Sequence, residues 1–152
     1  MITLTDQPFD PAEALCDFEK RAMGAGAIVS FTGLVRGTSK LGTVKTLHLQ
    51  AYSPMTERGM AKAAADANAR WPLDALLIIH RTGDLEPGEP VVYVATASTH
   101  RRAAFEAADF LMDYLKTEAV FWKKETTESG ANWVEPRPED YEDRDRWSKT
   151  GT

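Results

Sequence analysis

Two runs of the chain, residues 73–81 and 91–97, are apolar almost without a break. Each is of strand length, is rich in Val, Ile and Leu, and is bounded by turn-forming residues, which predicts two buried strands. Residues 27–35 and 44–52 are rich in β-branched and aromatic residues or alternate in polarity. They predict a hairpin closed by the polar, glycine-containing loop 36–43. Three segments carry helical signals instead. Asp10, Pro11 and Glu13 form a start signal for a helix running to about residue 23, where Gly24 and Gly26 stop it. A second helix spans 53–70, with alanines and methionines on its packing face, and Trp71-Pro72 ends it. A third spans 99–118. Residues 121–127 and 132–135 predict a last hairpin around Glu128, Ser129 and Gly130.

The predicted order is α-β-β-α-β-β-α-β-β. It implies an α+β fold with three main helices on one face of a largely antiparallel sheet. Residues 1–135 read as one domain. Residues 136–152 are charged and nearly free of aliphatic side chains, so an extended or mobile tail is expected there, with Trp147 as an anchor.

Composition narrows the class. The chain has 152 residues, 43% hydrophobic and 27% charged, with a net charge of −5. That is a globular composition with too little positive charge for general nucleic-acid or anionic-membrane binding. The single cysteine, Cys16, excludes an internal disulfide and a cysteine-rich zinc cluster. The first residues lack the basic flank and apolar run of a secretion signal, and no stretch has the length of a membrane span, so a cytoplasmic setting is expected. Metal-ligand spacings, a P-loop and a dinucleotide fingerprint are all missing from the sequence, so neither metal nor cofactor is expected.

Against that acidic background, residues 98–125 concentrate positive charge. His100, Arg101 and Arg102 fall at the start of the third helix, where free N–H groups and the helix dipole are already positive. An anion such as phosphate would offset them. Lys116 falls in the last turn of the same helix. Lys123 follows in a strand, where partial burial beside other cations would lower its pKa and fit it for acid–base or nucleophilic work. Arg36 ends the first strand, and Arg137 stands between two prolines. Each has an ordinary alternative: an exposed pair at a helix start, a lysine complementing the dipole, a solvated strand lysine. Cys16 reads as a small hydrophobe, His80 as a structural histidine, and His48 has no ligand-spaced partner.

Several motifs together carry a resemblance. They are Phe31-Thr32-Gly33-Leu34-Val35-Arg36, Tyr52-Ser53-Pro54-Met55-Thr56-Glu57, Arg70-Trp71-Pro72-Leu73 and Ile79-His80-Arg81-Thr82-Gly83-Asp84-Leu85. Others are Ser98-Thr99-His100-Arg101, Phe105-Glu106-Ala107, Met112-Asp113-Tyr114-Leu115-Lys116-Thr117, Phe121-Trp122-Lys123-Lys124-Glu125 and Trp133-Val134-Glu135. The chain resembles the large, catalytic subunits of molybdopterin synthase over nearly its whole length. The resemblance implies an α/β hammerhead-type fold with an added β subdomain. It implies a sulfurtransferase that inserts two sulfurs into cyclic pyranopterin monophosphate, giving the dithiolene of molybdopterin. The sulfur donor would be the C-terminal thiocarboxylate of a small ubiquitin-like subunit, in a heterotetramer built on a homodimer of the large subunit. Carried over by motif, Lys116 and Lys123 would be catalytic. Leu34, Val35, Arg36, His100, Arg101, Lys124, Glu125 and Arg137 would bind substrate, Arg137 across the dimer. The rival readings are a non-catalytic pterin-phosphate-binding module and a scaffold that docks a ubiquitin-like tail.

Overall fold

The structure is a computed structural model and describes residues 1–119 and 121–149. Its strands form two sheets. The first contains β1 (Ile2–Thr5), β2 (Ala27–Leu34), β5 (Leu73–Arg81) and β7 (Pro90–Ser98), in the order β1-β5-β7-β2. Only the β1–β5 pair is parallel; β5–β7 and β7–β2 are antiparallel. The second contains β3 (Thr38–Ser39), β4 (Gly42–Ala51), β8 (Phe121–Thr127) and β9 (Gly130–Val134) in that order, with β6 (Gly83–Leu85) also paired to β4. The helices are α1 (Pro11–Arg21), α2 (Met55–Arg70), α3 (Arg101–Thr117) and α4 (Pro138–Lys149). The α+β fold with a largely antiparallel sheet and an added β unit is borne out.

The continuous apolar runs of β5 and β7 have a simple cause: both strands are covered on both faces. Leu76, Ile78, Val92 and Val94 pack with Met60, Ala63 and Ala67 of α2 and Phe110 and Leu111 of α3. The alternate residues Leu77, Tyr93, Ala95 and Ala97 pack with Phe18 and Ala22 on the side of α1. The helices therefore lie on both faces of the first sheet, which corrects the one-face arrangement.

The hairpin of 27–35 with 44–52 is also corrected. Strand β2 pairs with β7, whereas β4 pairs with β8 in the other sheet. Between them β3 folds back on the start of β4, with Gly42 at a φ of +116°. The link 35–37, between β2 and β3, carries the chain from one sheet into the other. Alternation had identified which residues share a face but not which strand lies alongside.

The tail expected to be extended is helical over Pro138–Lys149. Pro138 occupies the first helical position, and Glu139 and Asp140 complement the dipole in the first turn. The Asp140 carboxylate accepts a hydrogen bond from the backbone N–H of Arg137 at 2.9 Å, closing half of a capping box. With few aliphatics, α4 docks by other means. Trp147 packs edge-on against Trp71 and Phe110, and its indole N–H donates to Asp113. Arg146 bridges Asp109 and Asp113 of α3. Trp147 thus anchors the segment as expected, but as part of a helix.

Candidate active site

A cavity of about 860 Å³ opens where the two sheets meet the last turn of α3 and the start of α4. Four cations line it: Arg36 beyond the end of β2, Lys116 at the end of α3, Lys123 on β8 and Arg137 before α4. Backbone bonds from Val35 N–H to the Glu89 carbonyl and from Gly88 N–H to the Val35 carbonyl fix the segment leading to Arg36. Buried Leu115 secures the last turn of α3, leaving Lys116 exposed into the opening. Strand pairing with Leu49 on one side and Val134 on the other holds Lys123 in place.

Lys123 is half-buried, and its pKa is lowered to about 8. Burial is the main cause; Lys116 and Arg36 push the same way, and Asp140 opposes them. An amine with that pKa exchanges a proton readily near neutral pH, whereas an ordinary lysine holds it.

Two residues of the cavity were not singled out as site residues from the sequence. His80 is buried in the floor and stacks on Phe121, with ring centroids 3.9 Å apart. Its Nδ1 lies 2.9 Å from the Arg81 carbonyl oxygen. A carbonyl only accepts, so Nδ1 carries the hydrogen and Nε2 is left as an acceptor. Burial pushes the His80 pKa down to about 4, and Lys123 adds to the shift, so the ring is neutral at physiological pH. The second is Asp140, buried beside the cations and bonded to Arg137 through both backbone and guanidinium. Burial alone would raise its pKa, but the Arg137 bonds and the Lys116 charge hold it below the usual carboxylate value. A continuously apolar strand hides the first of these, and an apparently unstructured tail hides the second.

The expected site residues divide into three groups. Leu34, Val35, Arg36, Lys116, Lys123, Glu125 and Arg137 all line the cavity. Lys124 does not line it: its ammonium lies 5.4 Å from the Trp133 ring centroid, while its cross-strand neighbour His48 bonds Asp84. His100 and Arg101 are also outside the lining. His100 is the N-cap of α3 and makes no side-chain capping bond, with Arg101 at the first helical position, so the helix starts later than residue 99. Fifteen residues of helix separate Arg101 from Lys116, about 22 Å along the axis. Both cationic ends of α3 exist, but a single chain does not bring them together.

Residues 4–118 match the MoaE protein family. The chain belongs to that family. It is 47% identical over 148 residues to the molybdopterin synthase catalytic subunit of Pseudomonas aeruginosa, covering 97% of this chain and 99% of that one. It is 44% identical over 146 residues to the corresponding Escherichia coli subunit, with 96% and 97% covered. Among solved structures, the MoaE protein of Burkholderia ambifaria superimposes with a TM-score of 0.82 at 40% identity, covering 97% of each chain. The MoaE match includes Lys116 and stops short of Lys123 and Arg137, whereas these relatives align across nearly the whole chain. Among the described residues no helix is long and apolar enough to cross a membrane, and no group of three or more His, Cys, Asp or Glu could hold a metal ion.

Proposed function

We propose that this MoaE-family chain is the catalytic subunit of a molybdopterin synthase. It transfers sulfur from the C-terminal thiocarboxylate of a small ubiquitin-like subunit to cyclic pyranopterin monophosphate, twice, to give the dithiolene of molybdopterin. The observation that carries this reading is the convergence of Lys116 and Lys123 with Arg36 in one cavity. Both reactants are anionic and the chain is net negative, so local positive charge has to draw them in. In each transfer the thiocarboxylate sulfur attacks a pterin side-chain carbon and an oxygen leaves with the bonding pair. A lysine ammonium stabilises that oxygen and hands it a proton. Water then cleaves the acyl–sulfur bond, returning a carboxylate to the donor and leaving sulfur on the pterin. Lys116 sits at the junction of donor tail and pterin, and Lys123 supplies charge or the proton. Arg36 and Arg137 hold anionic groups, with Leu34, Val35 and Glu125 shaping the pocket.

His100 and Arg101 enter this scheme only from a second copy of the chain, because about 22 Å separates them from Lys116 within one copy. A homodimer at the centre of a heterotetramer places the phosphate grip of one copy at the lysines of the other. The enzyme works in the cytoplasm. The test is to mix the chain with thiocarboxylated small subunit and cyclic pyranopterin monophosphate and to measure dithiolene product. Lys116→Ala should lower turnover at least about a hundredfold while leaving the dimer intact. Near-normal turnover in that variant would remove Lys116 from the mechanism.

A further inference from the structure

Four acids line the cavity beside the four cations: Glu118, Glu125, Glu135 and Asp140. Asp140 alone of these is buried. Glu118 is exposed and paired with Arg144 outside the cluster. The Asp140 side chain is 8% exposed, yet its only charged hydrogen-bond partner among the described residues, Arg137, is 56% exposed. A buried carboxylate held by one solvent-facing guanidinium keeps much of its field for the groups behind it. The two lysines line the same cavity: Asp140 acts on Lys123, and Lys116 acts on Asp140.

We propose that Asp140 is a positioning residue for the lysine pair: its carboxylate is the counter-charge that lets Lys116 and Lys123 share one cavity and sets how readily Lys123 releases a proton. The consequence for catalysis rests on the sulfur-transfer reading above; the electrostatic part rests on the buried Asp140 carboxylate and the two lysines lining one cavity. The cations facing Lys123 are Arg36, Lys116 and Arg137. The other titratable groups lining the cavity with it are His80, Glu118, Glu125, Glu135 and Tyr141. Of the acids, Asp140 is the one that raises the Lys123 pKa against burial, Lys116 and Arg36. Without it the ammonium form loses that support. The capping bond to Arg137 gives Asp140 a purely structural role as well, so the test has to separate cap from charge.

Asp140→Asn keeps an acceptor oxygen for the cap and removes the charge. Asp140→Glu keeps both. The Lys123 ammonium is followed by NMR of side-chain-labelled protein, its signal assigned with Lys123→Arg. In the natural chain it should titrate near pH 8. In Asp140→Asn the midpoint should fall by about one pH unit, and Asp140→Glu should restore it. An unchanged midpoint in a folded Asp140→Asn protein overturns the proposal. In the synthase assay the limb of the pH–rate profile that follows Lys123 should move in the same direction. If the natural chain makes no dithiolene, the sulfur-transfer reading falls, and the Lys123 titration still decides the role of Asp140.

Discussion

The two ends of helix α3 carry similar charge in opposite surroundings. At its start His100 and Arg101 are exposed, and the cavity lining does not include them. At its end Lys116 faces a cavity closed by two sheets and a helix, with Lys123, Asp140 and His80 around it. Adjacent residues and helix polarity build the first end, which is an exposed concentration of positive charge. Segments from six parts of the chain build the second, and burial there shifts the pKa values of Lys123 and His80. Local sequence is enough to concentrate charge; altering the chemistry of a group takes tertiary structure that excludes water.

The strongest test of this contrast asks whether the two ends cooperate between copies. Arg101→Ala and Lys116→Ala chains, each inactive alone, are mixed and allowed to exchange. A mixed dimer then holds one intact site, and with statistical pairing the mixture should recover about a quarter of natural activity. No recovery would mean that the helix start does not serve the neighbouring cavity. A smaller effect should come from acid. His80 has a folded pKa of about 4 and an unfolded value near 6.5, so between these the unfolded chain binds more protons. Stability is therefore undiminished above pH 6.5 and falls by about 3 kcal/mol as pH drops toward 4. His80→Asn should flatten that slope in urea titrations; an unchanged slope would show that the floor of the cavity is wetter than its burial implies.

The smallest effect concerns α4. Trp147→Ala removes packing on Trp71 and Phe110 and the bond to Asp113, a loss of about 2 kcal/mol for a half-buried indole. Hydrogen exchange should quicken in α4 and the last turn of α3 but not around His100. Equal quickening at both ends would erase the distinction between them.

Much of this was legible in the residues. The apolar runs of β5 and β7 marked buried strands, and the motifs of the resemblance singled out the lysines, since Lys116 alone only complements the helix dipole. The MoaE family membership bears out the resemblance carried by the motifs. Three features were not legible, for different reasons. The partner of β4 depends on which sheet the 36–43 connection enters, and alternation says nothing of that. Helix α4 owes its position to ion pairs and one indole, which composition scores as disorder. The strand β1 is four residues long, too short for its alternation to stand out, and is held by pairing with β5 and by the terminal ammonium bonded to the Leu76 carbonyl.

The pairing of β4 with β8 also constrains the order of assembly. Leu47 faces Glu125 and Leu49 faces Lys123, so each contact closes a loop of about half the chain's length. Such non-local pairings form late and slowly. The first-sheet strands β2, β5 and β7, and helices α1 and α2, are complete once about the first hundred residues exist; the reactive cavity is not. A newly made chain therefore folds its scaffold first, and its lysines meet only when the last fifth of the chain has arrived. Folding order thus keeps the two lysines apart until the frame that restrains them is already in place.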